Sequence, residues 1–300
     1  MIEEEKKWLL RNEVNNEALL IYKKKGKFIK PKSLEDKKDI FYYLPILTCY
    51  STKSIISFNE QDLHIYYKLV VHSSIQFQEN EGGHQDDLTK VYALLFNKNS
   101  DNIINDENWK RIGFQNPKPG SDFRGGGYLS LQTLHHIIAK EPDLIKEVIE
   151  FNDSGNNYLF ACIVISGVFF LKNYLHFGLH SNYKKKLDSG RTCKRRVFKY
   201  FISLDFEDSF EQSLNTFNEV VRVYNIKLFK YWKQSCEKDP RLTIMDFKNA
   251  EEEIQRILQC CFEEQSKNHD LEDRNSLKKF LDHFEVYTID KVIQPTIIHN

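Results

Sequence analysis

The 26 residues 109–134, WKRIGFQNPKPGSDFRGGGYLSLQTL, constrain the fold of this chain more than any other stretch. Pro117, Pro119 and Gly120 stop a helix and hold the backbone in turns. A single arginine, Arg124, then precedes three consecutive glycines, Gly125, Gly126 and Gly127. Lacking a Cβ, these residues admit φ > 0 and the close approach of another backbone. Trp109 and Phe114 stand before the turns as large apolar anchors. Leu129, Leu131, Leu134, Ile137 and Ile138 resume a helical spacing after them. Arg124 is thus expected on an irregular segment, braced by Trp109 and Phe114 on one side and by a helix on the other. A guanidinium is permanently charged, and its fixed fork of donors suits carboxylate or phosphate oxygens. The ordinary role of an arginine beside glycines is structural: it caps a helix end or pairs with a nearby acid, here Asp122.

The rest of the chain reads as helices. Residues 86–96 place Leu88, Val91, Leu94 and Leu95 on one face, with acids at the start, where the helix dipole favours them. Residues 97–108 read as a polar loop. A helix is expected over 130–139 with Ser130 as its cap, then a break at Glu141-Pro142 and a second helix to residue 151. Residues 158–174 are apolar on all faces and rich in β-branched side chains, so periodicity does not separate helix from strand; length favours a buried helix. Over 208–236, Phe210, Leu214, Phe217, Val221, Tyr224, Leu228 and Tyr231 alternate at spacings of four and three, the mark of a core stripe. Amphipathic helices are expected after Phe247 and over 277–286. Residues 40–50 and 62–71 also read as helices, and the polar stretch 78–85, with Gly82 and Gly83, reads as a linker. The expected fold class is all-α, with an N-terminal helical region over 1–83, a main domain over 84–262, and a linker and helix over 263–300.

Several functions are excluded by what the sequence lacks. Lys plus Arg equals Asp plus Glu at 43 each, so net charge makes no case for nucleic acid. The longest apolar run, 158–171, is about six residues short of the roughly 20 that a membrane-spanning helix needs. Cys49, Cys162, Cys193, Cys236, Cys260 and Cys261 form no C-x-x-C pair, and no signal peptide is evident; they are expected as reduced thiols in a cytosolic protein. His176 and His180 lie one helical turn apart but have no third ligand nearby, so no metal is expected. His135 and His136 face different sides of a helix. The three glycines lack the G-x-x-x-x-G-K-[ST] context of a phosphate cradle, so the chain is not expected to be an NTPase itself. Ser121, Asp122 and His136 make no triad, because no nucleophile elbow surrounds the serine.

The pattern W-x3-GFQ, six residues, then DFRG-x-G and spaced leucines resembles the signature of the ELMO (engulfment and cell motility) domain. It is carried by Trp109, Gly113, Phe114, Gln115, Asp122, Phe123, Arg124, Gly125 and Gly127. Tyr231-Trp232 resembles the end of a family helix, and Ile244, Met245, Asp246 and Phe247 resemble the family's closing segment. The family commonly reads D-P-x-T before DFRG; here that stretch is Pro117-Lys118-Pro119-Gly120-Ser121, so the resemblance carries over no GTPase preference. One branch of the family consists of small proteins that activate GTP hydrolysis by Arf and Arf-like GTPases, with the arginine of DFRG as the catalytic residue. The other consists of larger scaffolds that partner DOCK-type exchange factors for Rac in actin regulation, phagocytosis and motility, and that lack this arginine. The resemblance therefore implies a GTPase-activating protein with Arg124 as a finger supplied in trans. Trp109, Gly113, Phe114, Gln115, Asp122, Phe123, Gly125 and Gly127 would support it or bind the partner. GTP and Mg²⁺ would be carried by the partner GTPase, with no cofactor on this chain. The alternative is a non-catalytic adaptor in which Arg124 pairs with Asp122. Asp122 is expected either to hold the Arg124 guanidinium or to accept a backbone N–H at the turn. The implied location is the cytoplasm, with peripheral contact to internal membranes. The basic stretches 23–32 and 184–199 read as solvated loops, with anionic lipid (or, for the second, an acidic GTPase face) as the sharper alternative.

Overall fold

The longest amphipathic stretch becomes the axis of the structure. In the computed structural model it forms a helix over Ser209–Lys238. The structure describes Ile65, Lys68, Leu69 and residues 72–96, 103–175, 209–267 and 275–286. Among these every regular element is helical, so the fold is all-α. In chain order they are α1 (Gly82–Phe96), three 3₁₀ turns (Ile103–Asn105, Glu107–Ile112 and Pro119–Arg124), α2 (Tyr128–Lys140), α3 (Pro142–Asp153), α4 (Phe160–Tyr174), α5 (Ser209–Lys238), α6 (Phe247–Lys267) and α7 (Asn275–Val286). The helix expected over 40–50, both basic stretches, and His176 with His180 lie outside the described residues; of 62–71 only Ile65, Lys68 and Leu69 are inside, and they are helical.

Phe217, Val221, Tyr224 and Leu228 of α5 are buried as the stripe requires, and Phe210, Leu214 and Tyr231 pack at its margins. Val220, Val223, Phe229 and Trp232 are buried as well. Burial therefore extends around the helix, because α5 packs against α2, α4, α6 and α7. The apolar run of α4 sits between α2, α5 and the third 3₁₀ turn. Enclosure of that kind removes the need for a polar face. Gly167 lets α4 and α5 approach closely, since a Cβ there would lie 3.0 Å from the Tyr224 ring. At the C-terminal end, α7 docks on α5 and α6 through Phe280 and Phe284, with Phe262 and Phe280 stacked at 4.6 Å. Each such ring stabilises the fold by about 1.5–3 kcal/mol through burial.

Three local expectations are corrected. The stretch 78–85 is not a linker: α1 begins at Gly82, and His84 is buried between the rings of Phe77 (5.8 Å) and Tyr128 (3.9 Å). Polar composition misled here because the histidine is used as a flat ring, with Nδ1 accepting the Gln78 N–H at 3.1 Å. Ser130 does not cap α2. That helix starts from Gly127, and Ser130 is buried in its first turn. Within 97–108, expected as a loop, Ile103–Asn105 and the start of Glu107–Ile112 are 3₁₀ turns; Asp106 caps the second by accepting the Asn108 N–H at 2.8 Å and the Tyr92 hydroxyl at 2.7 Å.

Charged groups on α2 and α5 meet at one carboxylate. Glu219 accepts from His136 at 2.7 Å, Lys140 at 2.5 Å and Arg222 at 3.0 Å. Partial burial alone would push Glu219 up; these donors hold it down at about 2 instead. His72 is the reverse case. Burial pushes its imidazole down to about 4, against a weaker upward pull from Gln132, which it meets at 2.6 Å. Because the folded state resists the proton that the unfolded chain accepts near pH 6.5, His72 favours folding above that pH. Stability falls as pH drops from about 6.5 to about 4, by roughly 3 kcal/mol in all. Urea denaturation across pH 7 to 4 checks this, and His72→Gln should flatten that part of the profile.

Candidate functional site

The backbone between Gly113 and Gly127 is a loop gripped at both ends by another backbone. Gly113 has φ 87°, and a Cβ there would lie 2.3 Å from Leu159 Cα and 2.4 Å from Phe160 N. Gly127 has φ 69°, and its Cβ would lie 2.3 Å from the carbonyl oxygen of Ile75, the same oxygen that accepts the Tyr128 N–H at 2.9 Å. Only glycine satisfies both the conformation and the space at these positions. Beneath the loop, Trp109, Phe114 and Phe123 are buried and meet edge to face, with centroids 5.3 and 5.7 Å apart. The Trp109 indole N–H donates to the Ile103 carbonyl at 2.6 Å, and Phe123 packs on Phe77 at 5.0 Å. Such pairs add about 0.5–1.5 kcal/mol each beyond the area they bury.

Asp122 and Arg124 share this loop but are not partners. One Asp122 oxygen accepts the Gln115 N–H at 2.9 Å, which ties the loop's two arms together. Of the two roles expected for Asp122, acceptance of a backbone N–H is the one observed. Arg124 is exposed at the end of the third 3₁₀ turn, and its Nε–H donates to the Ser121 carbonyl at 2.7 Å. Among the described residues no carboxylate pairs with it. Arg111, also in the signature stretch, makes the contrast: it meets both oxygens of Asp153, at 3.3 and 2.6 Å. One arginine is closed on a carboxylate, and the other is exposed with only its Nε–H engaged among the described residues.

A pocket of about 250 Å³ opens between this loop and α4. Gln115, Asp122 and Gly125 line it from the loop, and Cys162, Ile165, Ser166 and Phe169 line it from α4. Burial, then the nearby Asp122 charge, pushes the Cys162 thiol up to about 12, so it is a protonated donor to Asp122 and no nucleophile. The Ser166 hydroxyl donates to Glu251 of α6 at 2.5 Å, and burial pushes that carboxyl upward. Gly125 differs from its neighbours in the signature. Its backbone is right-handed helical (φ −75°, ψ −47°), and a Cβ would meet only Ile165 Cγ2, at an ordinary 3.8 Å.

The structure thus brings together Gln115, Asp122, Arg124 and Gly125 at the surface, with Trp109, Phe114 and Phe123 packed beneath them and Gly113 and Gly127 as the fixed ends of the loop. The α4 residues were not read from the sequence. Cys162 and Ser166, one helical turn apart in an otherwise apolar run, were the available signal. His136 belongs to the Glu219 network instead of any site with Ser121. Among the described residues no group of three or more His, Cys, Asp or Glu could hold a metal ion, and no helix is long and apolar enough to cross a membrane.

The family model of ELMO/CED-12 matches residues 68–251, more than half of the chain, and the chain belongs to that family. Three relatives in Dictyostelium discoideum are similar. An ankyrin repeat and ELMO domain-containing protein D is 32% identical over 36% of this chain, an ELMO domain-containing protein B 24% over 51%, and an ELMO domain-containing protein C 27% over 40%. The matched regions cover 8%, 55% and 18% of those proteins respectively. No solved structure matches.

The glycine geometry sets a stability prediction. Gly113→Ala and Gly127→Ala should each cost on the order of 3 kcal/mol or more, from strain and clash together, whereas Gly125→Ala should stay within about 1 kcal/mol of the parent. Midpoints and slopes of urea denaturation check all three.

Proposed function

We propose that this chain accelerates GTP hydrolysis by a small GTPase of the Arf or Arf-like family, with Arg124 entering the partner's nucleotide site. The observation that carries this reading is the placement of Arg124: an exposed arginine, steadied through Nε by Ser121, that pairs with no carboxylate among the described residues. As the γ-phosphoryl leaves, charge gathers on oxygens that a planar fork of donors can meet in two places at once. An arginine supplied in this way is worth 10³ to 10⁵ in rate, about 4–7 kcal/mol of barrier. The gripped loop contributes by holding the fork before the encounter, so less order has to be created during it.

GTP, Mg²⁺ and the attacking water belong to the GTPase; this chain supplies no cofactor. Its place of action is the cytoplasm, peripherally at internal membranes where such GTPases work in trafficking. The adaptor alternative, which binds a GTPase or an exchange-factor complex for Rac without accelerating hydrolysis, required an arginine paired with Asp122. The Asp122–Gln115 bond weighs against it.

The test is single-turnover GTP hydrolysis by purified Arf-family, Arf-like, Rac and Ras GTPases, with and without the protein. One Arf-type GTPase should be stimulated at least a hundredfold. Arg124→Lys should abolish most of that stimulation while affinity for the GTP-loaded partner stays within about threefold, since an ammonium cannot reproduce the fork. A Lys variant as active as the parent overturns the mechanism, and binding without stimulation by the parent establishes the adaptor.

A further inference from the structure

We infer that the pocket between Gly125 and Phe169 seats one apolar side chain from the GTP-bound face of the partner GTPase, and thereby selects which GTPase Arg124 serves. The inference rests on the GTPase reading above and adds to it the source of specificity.

Gly125 is the first observation. Gly113 and Gly127 are explained by positive φ and by backbone contact, but Gly125 has neither, and the space over it is open except for the tip of Ile165. The missing Cβ is therefore a feature of the surface and keeps the pocket mouth clear. Phe169 is the second. It stands 43% exposed on α4 at the rim of the same pocket, while the aromatic residues beneath the loop are sealed in the core. An exposed ring beside an apolar cavity gains when a partner covers it.

The chemistry of the lining names the occupant. Gly125, Ile165 and Phe169 present apolar surface, and the polar groups at the base are engaged: Asp122 by the Gln115 N–H, Ser166 by Glu251. Asp122 is the one charged group in the lining, with the Ser121 hydroxyl and the Cys162 thiol as further donors to it, and around it an aliphatic or aromatic side chain meets a surface of its own kind. Position names the source. Gly125 lines the pocket and follows Arg124 directly, and both are exposed, so a molecule that meets Arg124 is next to the pocket. Arg124 reads the triphosphate, which all such GTPases share. An apolar pocket reads shape, and one misfitting group there changes selection by about 10- to 200-fold.

The test uses the full chain and the same GTPase panel loaded with a non-hydrolysable GTP analogue, with affinities measured by calorimetry. Gly125→Val fills the mouth, Phe169→Asp makes the rim anionic, and Phe169→Leu keeps it apolar. For the responsive GTPase, Gly125→Val and Phe169→Asp should each raise Kd at least tenfold with unchanged urea midpoints, and Phe169→Leu should stay within threefold. Arg124→Lys is the contrasting case, which keeps affinity and loses rate. Unchanged affinity in both Gly125→Val and Phe169→Asp, with the parent binding and stimulating, overturns the pocket inference alone. Tighter binding by Phe169→Asp overturns the apolar occupant in favour of a basic one. A parent that neither binds nor stimulates any GTPase of the panel overturns the GTPase reading and the pocket inference with it.

Discussion

Backbone pressed against backbone holds the site in place. At Gly113 the chain lies on Leu159 and Phe160, and at Gly127 it lies on the carbonyl of Ile75. Contacts this short leave no room for sliding, and they fix both ends of the loop to different parts of the helical core. Trp109, Phe114 and Phe123 then fill the space under it as one train of edge-to-face rings. An exposed arginine ordinarily samples many directions at considerable entropic cost when it is ordered. Here the backbone below it is held by the glycine contacts, and Ser121 engages Nε, so only the outer fork keeps that freedom.

The polar groups in and just before the signature divide into those that finish the fold and those that do not. Arg111 is closed on Asp153, Asp106 caps a 3₁₀ turn, and Asp122 spans the loop to Gln115. The two aspartates satisfy a need generated by the turns themselves, where backbone donors have no helical or strand partner. Arg124 answers no such need beyond a single bond to Ser121. The same split runs through the glycines, with Gly113 and Gly127 demanded by geometry and Gly125 by nothing within the described residues. Groups that the fold does not require are where binding chemistry is to be sought.

Helix α4 links the two halves of this arrangement. It is buried against α2 and α5, which makes it a rigid wall, yet its outer edge carries Phe169 to the surface beside the loop. Because the wall is built by the core, the shape of the pocket depends on residues far apart in the chain: the loop near 115–125, α4 near 162–169, and Glu251 of α6 through its bond with Ser166. The ELMO/CED-12 match over 68–251 spans all three.

What the sequence determined by itself was whatever depends on neighbours a few residues away. Spacings of three and four placed α5 to within two residues, and the stripe of Leu88, Val91 and Leu95 in α1 was legible, but Leu94, expected on the same face, is exposed, and Tyr92 is buried in its place. Proline and glycine announced the loop, and the signature spacing singled out Arg124 together with the residues that support it. Tertiary structure decided the rest. It turned the polar stretch 78–85 into a turn and the start of a helix by stacking His84 between Phe77 and Tyr128, and it made Gly127 the start of α2 where Ser130 had the better local chemistry. It assigned Asp122 to a backbone N–H instead of to its near neighbour Arg124, and it assembled a pocket whose α4 wall gave almost no sequence signal. The physical reason is common to all of these: a side chain's local preferences are small energies, and the surface that folding brings against it, forty or more residues away for Cys162 and Asp122, outweighs them.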